Sequence, residues 1–557
     1  MESYSWIGVA IIVVVVIGLW MSIDTMIDGW REKDSKKVSR GLQQLRVNLI
    51  TVALAVSVFR FASPSLSNLV FYQGVFMHLG QTLSLALAGV FAYASYRIFN
   101  NYRSNSMGFV YGALAIITAV SGVVLSTSFN AAALAQEFRF ERISTLIPDD
   151  HGKLRFTPEE VAYNLMHGRA TESGYTLEHE DIDAVDVNNG FGYVGPMVPD
   201  GTVGTWIRAN SGYMVFDDLK SNEDPGRIRK VNQTQAFGEG MLLFDNLERH
   251  LYNTEWSAFY PEVYYLQLDP KVVDSYTAVA PKFEYRYRFP FASIPVWAGV
   301  VLVHSDGRTE NLNTTEALAD PRLKGKQINH RWYLRKLVDA QNYLDGFYAG
   351  WYVRPGQIKI PDLPGRSQMP FYFRGADNHD YAVIATEPPG TGAGLYRMYY
   401  LNVSTGARLV YEFAPKAGLS GPERAVDHAQ IAGHTWAGTG QQGGGGERLL
   451  EPRYLVRDGK LFWMLSATPA AMSTVNSTIV VDAQTSTPVT YRGEQEFKTR
   501  EIFFSWLNGA PDQAEVPASS STDPDSIPAT SDRLERLEQL LRTALQEVES
   551  LKGGSKK

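Results

Sequence analysis

Long uncharged apolar runs are confined to the first 135 residues of the chain. The first run, from Trp6 to Met21, reads WIGVAIIVVVVIGLWM. An α-helix needs about 20 apolar residues to cross the hydrocarbon core of a bilayer. The pattern therefore predicts a four-helix transmembrane region in residues 1–135, of which the second helix is the weakest because Arg60 and Pro64 interrupt its run. The expected spans are about 5–22, 46–63, 75–99 and 108–134.

The first run is expected to be a retained anchor rather than a cleaved signal peptide. A signal peptide has a basic region before its apolar run and small residues at a cleavage site after it. Here Glu2 is the only charged residue before the run, and the bulky residues Trp20 and Met21 end it.

The distribution of basic residues predicts the orientation, because Lys and Arg in short connections favour the cytoplasmic side. The connection between the third and fourth runs contains Arg97 and Arg103, whereas the connection between the second and third contains only Arg60. A multi-pass protein of the plasma membrane is expected, with its N-terminus and everything after about residue 135 extracytoplasmic. The connection after the first run has six basic residues: Arg31, Lys33, Lys36, Lys37, Arg40 and Arg46.

After residue 135 the pattern changes to short runs rich in Tyr, Val and Phe, separated by Gly, Pro, Asn and Asp. Such runs predict a large, mainly antiparallel β region, and the fold class is a membrane protein of the α+β type. We expect an α+β domain at 136–365 and a β-rich domain at 366–511. Hairpin turns are predicted at Asp306-Gly307, at Thr405-Gly406 and at Asp482 with Thr485.

Two helices are predicted inside this β region. One begins within TPEEVAYNLMHG, where Thr157 and Glu160 have the spacing of a capping box. The other spans about Trp332 to Phe347.

Residues 368–464 contain, in order, MPFYFRGADNHDY, ARLVYEF, LSGPERAV, QQGGGGERLL and EPRYLVRDGKLFW. This order resembles an uncharacterised family of bacterial multi-span membrane proteins with large outer domains, although this chain has fewer predicted spans. The resemblance implies a location and no activity. The hairpins, in which a strand enters a polar turn and returns, resemble those of secreted PepSY-type or cystatin-like modules.

The C-terminal part is predicted to be a disordered linker followed by a helix. Residues 512–530 are rich in Pro, Ser and Asp, which disfavours a packed core. Residues 531–552 carry a heptad stripe that favours a coiled coil and hence a homo-oligomer, with docking on another protein or on a membrane as alternatives. The stripe consists of Leu534, Leu537, Leu541, Ala544, Val548 and Leu551.

Composition and charge exclude several classes of function. The net charge of −7 and the isoelectric point near 5.9 argue against a nucleic-acid partner, which requires a basic surface. The absence of Cys excludes disulfides, thiolate-metal sites and thiol catalysis. No cofactor is predicted, and the G-x-G-x-x-G match at Gly438, Gly440 and Gly443 is interpreted as a flexible loop, because no helix pattern follows it.

The candidate metal ligands are few, and each has a plainer interpretation. His428 and His434 form the only close His pair, but their spacing suits neither a helix face nor a strand face, so loop histidines are favoured. Asp181, Asp183 and Asp186 belong to an acidic stretch that could bind calcium, but a solvated acidic loop is favoured because the pattern lacks an EF-hand glycine and terminal glutamate. Four sequons mark possible glycosylation: Asn232, Asn313, Asn402 and Asn476.

These observations favour a non-enzymatic role. The expected function is that of a membrane-anchored, self-associating binding or scaffold protein of the cell envelope, with membrane lipid and an envelope protein or glycan as partners. One alternative is an envelope enzyme that hydrolyses or transfers glycan or lipid. A cleft with two carboxylates at the separation used by glycosidases would favour it. Another alternative is an accessory subunit of a transport or secretion complex.

Overall fold

The structure is a computed structural model, and residues up to Asn508 form one unit by their contacts. The predicted linker 512–530 and the predicted helix 531–552 with its stripe lie outside the described residues, as do His434, Asp181 and the glycines at 438–443. The described residues are 2–73, 79–102, 105–178, 182–187, 190–201, 204–220, 224–241, 245–269, 272, 274–288, 292–352, 354–363, 368–390, 394–414, 417–431, 436 and 446–509.

The N-terminal region consists of four long helices. Three of them contain stretches long and apolar enough to cross a membrane, at Ser35–Val58, Gly80–Phe99 and Ser106–Glu137. The helices themselves are α1 (Glu2–Arg31), α2 (Ser35–Ala62), α4 (Leu79–Tyr102) and α5 (Asn105–Glu137), with the short helix α3 (Pro64–Ser67) and a π-helical turn (Asn68–Gln73) between α2 and α4.

Helix α1 continues to Arg31, beyond the end of its predicted span at residue 22. Asp24 and Asp28 lie on this extension, and both form ion pairs with Arg97 of α4. The Tyr93 hydroxyl also donates to Asp24, at 3.1 Å. These pairs neutralise the two carboxylates, so the helix does not have to end where the apolar run ends.

The first two sheets of the β region lie in its N-terminal part, and all their strand pairs are antiparallel. Sheet A has the order β2-β4-β5-β6, with β3 also paired to β4, and sheet B has the order β10-β9-β8-β7. Sheet A comprises β2 (Tyr175–Leu177), β3 (Asp183–Val187), β4 (Gly190–Pro199), β5 (Tyr213–Asp217) and β6 (Ile228–Val231). Sheet B comprises β7 (Tyr264–Leu266), β8 (Thr277–Arg288), β9 (Ala292–Val303) and β10 (Thr309–Asn313).

The other two sheets contain the later strands. Sheet C has the order β1-β14-β13-β12-β11, in which β1 is parallel to β14, and sheet D has the order β15-β16-β17-β18. Sheet C comprises β1 (Glu141–Arg142), β11 (Phe371–Arg374), β12 (Asp380–Thr386), β13 (Arg397–Asn402) and β14 (Arg408–Glu412). Sheet D comprises β15 (Glu447–Arg457), β16 (Lys460–Pro469), β17 (Ser477–Asp482) and β18 (Thr487–Pro488).

Short helices pack between and beside these sheets. Helix α10 and a following 3₁₀ turn at Gln341–Tyr343 cover most of the helix predicted at Trp332–Phe347. The helices are α6 (Glu159–Arg169), α7 (Gly204–Ile207), α8 (Leu247–Thr254), α9 (Thr314–Ala319), α10 (Arg331–Ala340), α11 (Pro422–His428) and α12 (Arg500–Leu507), with further 3₁₀ turns at His151–Lys153 and Pro225–Arg227.

The three predicted hairpins are confirmed as β9-β10, β13-β14 and β17-β18. Their turns use the polar residues as expected. The Asp306 carboxylate accepts from the backbone N–H of Arg308 at 2.9 Å, and Asp482 accepts from the backbone N–H of Thr485 at 3.1 Å. Gly307 has φ = +87°, a left-handed conformation that a residue without Cβ adopts at little cost.

The predicted capping box at Thr157 and Glu160 is wrong. Helix α6 begins at Glu159, and Pro158 precedes it without a side-chain cap. The Thr157 hydroxyl donates instead to the Asp218 carboxylate, at 2.6 Å. A buried acceptor from a distant strand has therefore replaced the local partner that the spacing suggested.

Buried residues from both predicted outer domains share the largest hydrophobic cluster, including Met166 of α6, Tyr193 of β4, Tyr400 of β13 and Trp463 of β16. A separate cluster joins the end of α5 to the β region, where Leu134 packs with other apolar side chains of sheet B and α10. The backbone N–H of Ser293 also donates to Asn130 of α5, at 2.7 Å. The last three turns of α5 are thus part of the β region.

Candidate functional site

A cleft of about 700 Å³ opens between sheets A and D, beside the start of α12. We call it the basic cleft because four of its lining side chains are cationic. Four chain segments, distant in sequence, form it. The lining residues are Gly152, Phe156, Thr157, Leu219, Lys220, Arg227, Val475, Asn476, Ser477, Thr478, Phe497, Lys498, Thr499, Arg500, Glu501 and Phe504.

Asp218, at the end of β5, fixes one wall of the cleft. Its carboxylate is fully buried and accepts from the backbone N–H of Phe156 at 2.5 Å and of Thr157 at 3.1 Å, as well as from the Thr157 hydroxyl. Hydrogen bonds to an ionised acceptor are among the stronger ones in proteins. Asp218 therefore holds the segment before α6 in place.

The other side of the same segment is held by an interior polar cluster, which we define as Arg155, Asp218, Glu451 and Arg453. Arg155 donates to Glu451 at 2.6 Å, and Arg453 donates to the backbone carbonyl of Phe156 at 2.9 Å. Glu451 lies in a bulge of the β15-β16 pair with φ = +47°, and its carboxylate also accepts from the backbone N–H of Glu159. The bulge directs this side chain towards the first turn of α6.

Two arginines form the inner part of the basic cleft. Arg227 donates to the Thr157 hydroxyl at 2.9 Å and lies 3.6 Å from the Asp218 carboxylate. The Arg500 guanidinium lies over the rings of Phe156 and Phe504, at 4.9 and 5.2 Å from their centroids. Burial lowers the pKa of Arg227, and the charge of Arg500 lowers it further against the opposing effect of Asp218. Positive charge is therefore crowded here.

Two lysines lie at the rim. Lys220 and Lys498 have acidic partners, Asp224 at 3.7 Å and Glu494 at 3.1 Å. Among the described lining residues the four cations are accompanied by one carboxylate, Glu501, while the carboxylates paired with Arg227, Lys220 and Lys498 lie outside the lining. The surface of the cleft is therefore mainly cationic, and solvent in the open cleft also reaches these side chains.

Hydroxyl groups complete the lining. Ser477 is 4% exposed, and its hydroxyl has no hydrogen-bond partner among the described residues. Thr499 caps α12 by accepting from the backbone N–H of Ile502 at 3.3 Å. The cleft therefore also faces the N-terminal end of a helix, whose dipole favours negative charge. Arginine forks, a buried hydroxyl and a helix start are the donors that phosphate and carboxylate groups use.

The predicted acidic loop is a buried strand. Asp183 and Asp186 belong to β3, and Asp183 is 2% exposed. Burial raises the pKa of Asp183 well above its usual value, and the nearby Glu262 raises it further. Asp186 forms an ion pair with Lys326 at 3.1 Å. The described residues contain no group of three or more His, Asp or Glu side chains that could hold a metal ion.

Glu262 and the start of α10 explain the charge around Asp183. His330 caps α10 by accepting from the backbone N–H of Trp332 through Nδ1, so its Nε2–H points to the Glu262 carboxylate. Burial opposes ionisation of Glu262, but His330 and Arg331 hold its pKa down at about 2. Glu262, His330 and Arg331 are thus paired with one another and largely buried, which indicates a structural role.

The remaining predicted site residues are separate from one another. His428 is exposed at the end of α11. Asn402 is buried and accepts from the backbone N–H groups of its own turn, and Asn313 caps α9. Asn232 is exposed, and Asn476 lies in the lining of the basic cleft.

A second pair of carboxyl groups is relevant to the enzyme hypothesis. Burial and, to a lesser extent, the charge of Glu423 together raise the pKa of Glu387 to about 7. Glycoside hydrolases use two carboxyl groups about 5 Å or more apart beside the substrate, and neither residue of this pair lines the basic cleft.

The sequence reasoning missed every cation of the basic cleft. Lys220, Arg227, Lys498 and Arg500 are scattered singly in turns and before a short helix, and no spacing relates them. No protein-family model matches the chain, and neither a curated protein nor a solved structure is significantly similar to it.

Proposed function

We propose that this chain is a membrane-anchored binding protein whose outer β region holds an anionic component of the cell envelope in the basic cleft. The observation that carries the proposal is the concentration of four cationic side chains in the cleft lining, which contains one carboxylate, Glu501. A phosphate or carboxylate group in the cleft would accept from the Ser477 hydroxyl and would lie beside the two arginines. Binding rather than turnover is favoured, since the lining presents donors and no paired general acid and base.

The helix ends support membrane anchoring with the β region on one side. Arg249 donates to the backbone carbonyl of Phe61 at the end of α2, and Asn130 near the end of α5 contacts β9. The basic connection between α1 and α2 lies at the opposite end of α2. This arrangement agrees with four spans and an extracytoplasmic β region, as the basic residues predict.

Anion binding can be tested on the full chain purified in detergent, with inorganic phosphate as the probe and calorimetry as the readout. We expect saturable binding to the wild type. Arg500→Gln removes the fork between the two Phe rings and should weaken the affinity at least tenfold. Arg500→Lys keeps the charge but loses the fork, and should lie between the two.

Lys359→Gln is the matched control for charge. Lys359 is a half-exposed lysine with an acidic partner, Glu423 at 3.2 Å, outside the cleft. It should leave phosphate affinity unchanged, and circular dichroism should show that each variant is folded. Equal affinities of the wild type and Arg500→Gln would contradict the proposed site.

Membrane topology can be tested by single-cysteine labelling, because the chain contains no Cys and has no background reaction. Lys36→Cys in the basic connection and Lys324→Cys in the β region are both at exposed positions. In intact cells, a membrane-impermeant maleimide should label Cys at 324 and spare Cys at 36 until the cells are broken. The reverse pattern would contradict the orientation.

Self-association through residues 531–552 remains a separate part of the proposal. It can be tested by native mass determination on the full chain and on a chain ending before Ser531. Loss of a discrete oligomer on truncation would support it. A monomer in both cases would contradict it and favour a docking role for the predicted helix, as expected for an accessory subunit.

A further inference from the structure

Exposed aromatic residues concentrate in one loop of the β region. After residue 138, seven large apolar or aromatic side chains are exposed in the described part of the chain, and four of them lie within residues 344–352. We call these nine residues the aromatic loop. Tyr348, Trp351 and Tyr352 are 50%, 51% and 55% exposed, and Leu344 is 42% exposed. Side chains of this size are costly to expose to water together.

The aromatic loop is attached to α5. The indole N–H of Trp351 donates to the Ser128 hydroxyl at 2.9 Å. The Phe347 ring stacks on Phe129, with centroids 4.5 Å apart and planes 22° apart. The Phe347 ring in turn meets Trp351 edge-on at 6.0 Å. The loop therefore has a defined position along the helix.

The aromatic loop contacts α5 where the membrane-spanning part of this helix would end. Large exposed apolar side chains on α5 begin at Met107 and Phe109. Twenty residues counted from Met107 end at Ser126 and would span about 30 Å, the thickness of the hydrocarbon core. Ser128, which binds Trp351, follows within one turn. The helix beyond it is covered by the β region, as the buried residues Leu134 and Ala135 show.

A similar contact marks the end of α2. The Arg60 guanidinium lies over the Trp256 ring, 5.3 Å from its centroid, one residue before the carbonyl contact of Phe61 with Arg249. An arginine and a tryptophan at the end of an apolar helix are typical of the boundary between lipid and water. Two helices thus meet the β region through aromatic and cationic residues.

From these contacts we infer that the aromatic loop is a membrane-interface anchor whose partner is the headgroup layer of the lipid bilayer. The inference rests on the membrane placement in the proposed function. Tyr and Trp suit this layer because each combines an apolar ring with one polar group. Lipid is the occupant because the loop continues the lipid-facing surface of α5 at the depth where hydrocarbon ends. Anchoring at α5 and at the loop would fix the tilt of the β region relative to the membrane.

The test is site-directed spin labelling of the full chain in phosphatidylcholine vesicles. Tyr348→Cys and Tyr352→Cys place labels on the loop. Leu318→Cys and Val272→Cys are matched controls, because these side chains are also apolar and are 48% and 49% exposed elsewhere in the β region. Ile116→Cys, at a 67% exposed position of α5, reports on the hydrocarbon core.

The readout is the ratio of collision rates of each label with oxygen and with a water-soluble nickel chelate. We expect the ratio at 348 and 352 to exceed the ratio at 318 and 272 several-fold and to stay below the ratio at 116. If 348 and 352 match 318 and 272 while 116 reports hydrocarbon, the anchor is disproved and the membrane placement stands. If 116 also matches 318, the membrane placement itself fails, and the anchor with it.

Discussion

The interior polar cluster and the basic cleft lie on opposite sides of one short segment, residues 155–157, and they treat charge in opposite ways. In the interior cluster two arginines face two carboxylates, and each of the four side chains is at most 6% exposed. The basic cleft is lined by four cations and one carboxylate, the carboxylates paired with Arg227 and the two lysines lie outside the lining, and the lysines remain in contact with water. Asp218 belongs to the interior polar cluster and also holds one wall of the basic cleft in place.

Comparing the interior polar cluster with the basic cleft shows which charged side chains stabilise the fold and which can bind a ligand. Removing an ion from water costs several kcal/mol, so a buried charge persists only if its neighbours compensate it. An open cleft does not impose this balance, because water solvates the excess charge. The solvated cationic side chains can then bind an incoming anion.

The greatest loss of stability is expected when a carboxylate of the interior polar cluster is neutralised. Glu451→Gln leaves Arg155 and Arg453 buried without their shared carboxylate, and should lower the free energy of unfolding by about 3–5 kcal/mol. Denaturant unfolding of the full chain in detergent measures it. Glu494→Gln, on the exposed partner of Lys498, is the control and should leave the unfolding midpoint unchanged. Equal unfolding midpoints for both variants would show that the interior polar cluster contributes no more to stability than an exposed ion pair.

The pH dependence of stability tests a buried carboxyl group, Glu387, which forms no ion pair among the described residues. The native pKa of Glu387 is about 7, above its usual value of 4.5. The native state therefore binds the proton more tightly, and stability should be full below pH 4.5 and decrease as pH rises through 7. The total loss is about 3 kcal/mol. Glu387→Gln should stabilise the protein at pH 8 and not at pH 4, and an equal effect at both values would disprove the raised pKa.

The hydroxyl groups of Thr157 and Ser477 both line the basic cleft, and their removal can be compared directly. Thr157→Val removes a donor to the buried Asp218 carboxylate and should cost about 1–3 kcal/mol of stability. Ser477→Ala removes a hydroxyl without a described partner and should change stability little, while weakening phosphate binding several-fold. Unfolding and calorimetry on the same samples separate the two effects. If Ser477→Ala destabilises as much as Thr157→Val, its hydroxyl serves the fold.

The smallest effect on stability is expected at the rim. The double variant Lys220→Gln with Lys498→Gln should unfold at the same denaturant concentration as the wild type, because both side chains are partly solvated. Its phosphate affinity should depend less steeply on salt concentration, since two attracting charges are removed. An unchanged salt dependence would place the anion deeper, at Arg227 and Arg500 alone.

Local patterns predicted the elements that local forces produce. Helices long and apolar enough to cross a membrane follow from composition, and the hairpins at Gly307, Gly406 and Asp482 follow from turn chemistry within a few residues. Thr157 and Asp183 show where this reasoning fails. Thr157 has a distant carboxylate in reach, and Asp183 lies on a strand whose burial the acidic pattern did not indicate.

Composition and neighbouring residues are sufficient to predict long apolar helices near the N-terminus, a mainly antiparallel region after them, and the absence of thiol chemistry. The sequence pattern does not indicate that Thr157, Arg227, Ser477 and Arg500 line one cleft, and the folded structure is needed to show it. The physical reason is that the role of a charge or hydroxyl depends on its burial and its partners. The lining segments here include residues 152–157 and 475–504, which are more than 300 residues apart in the chain.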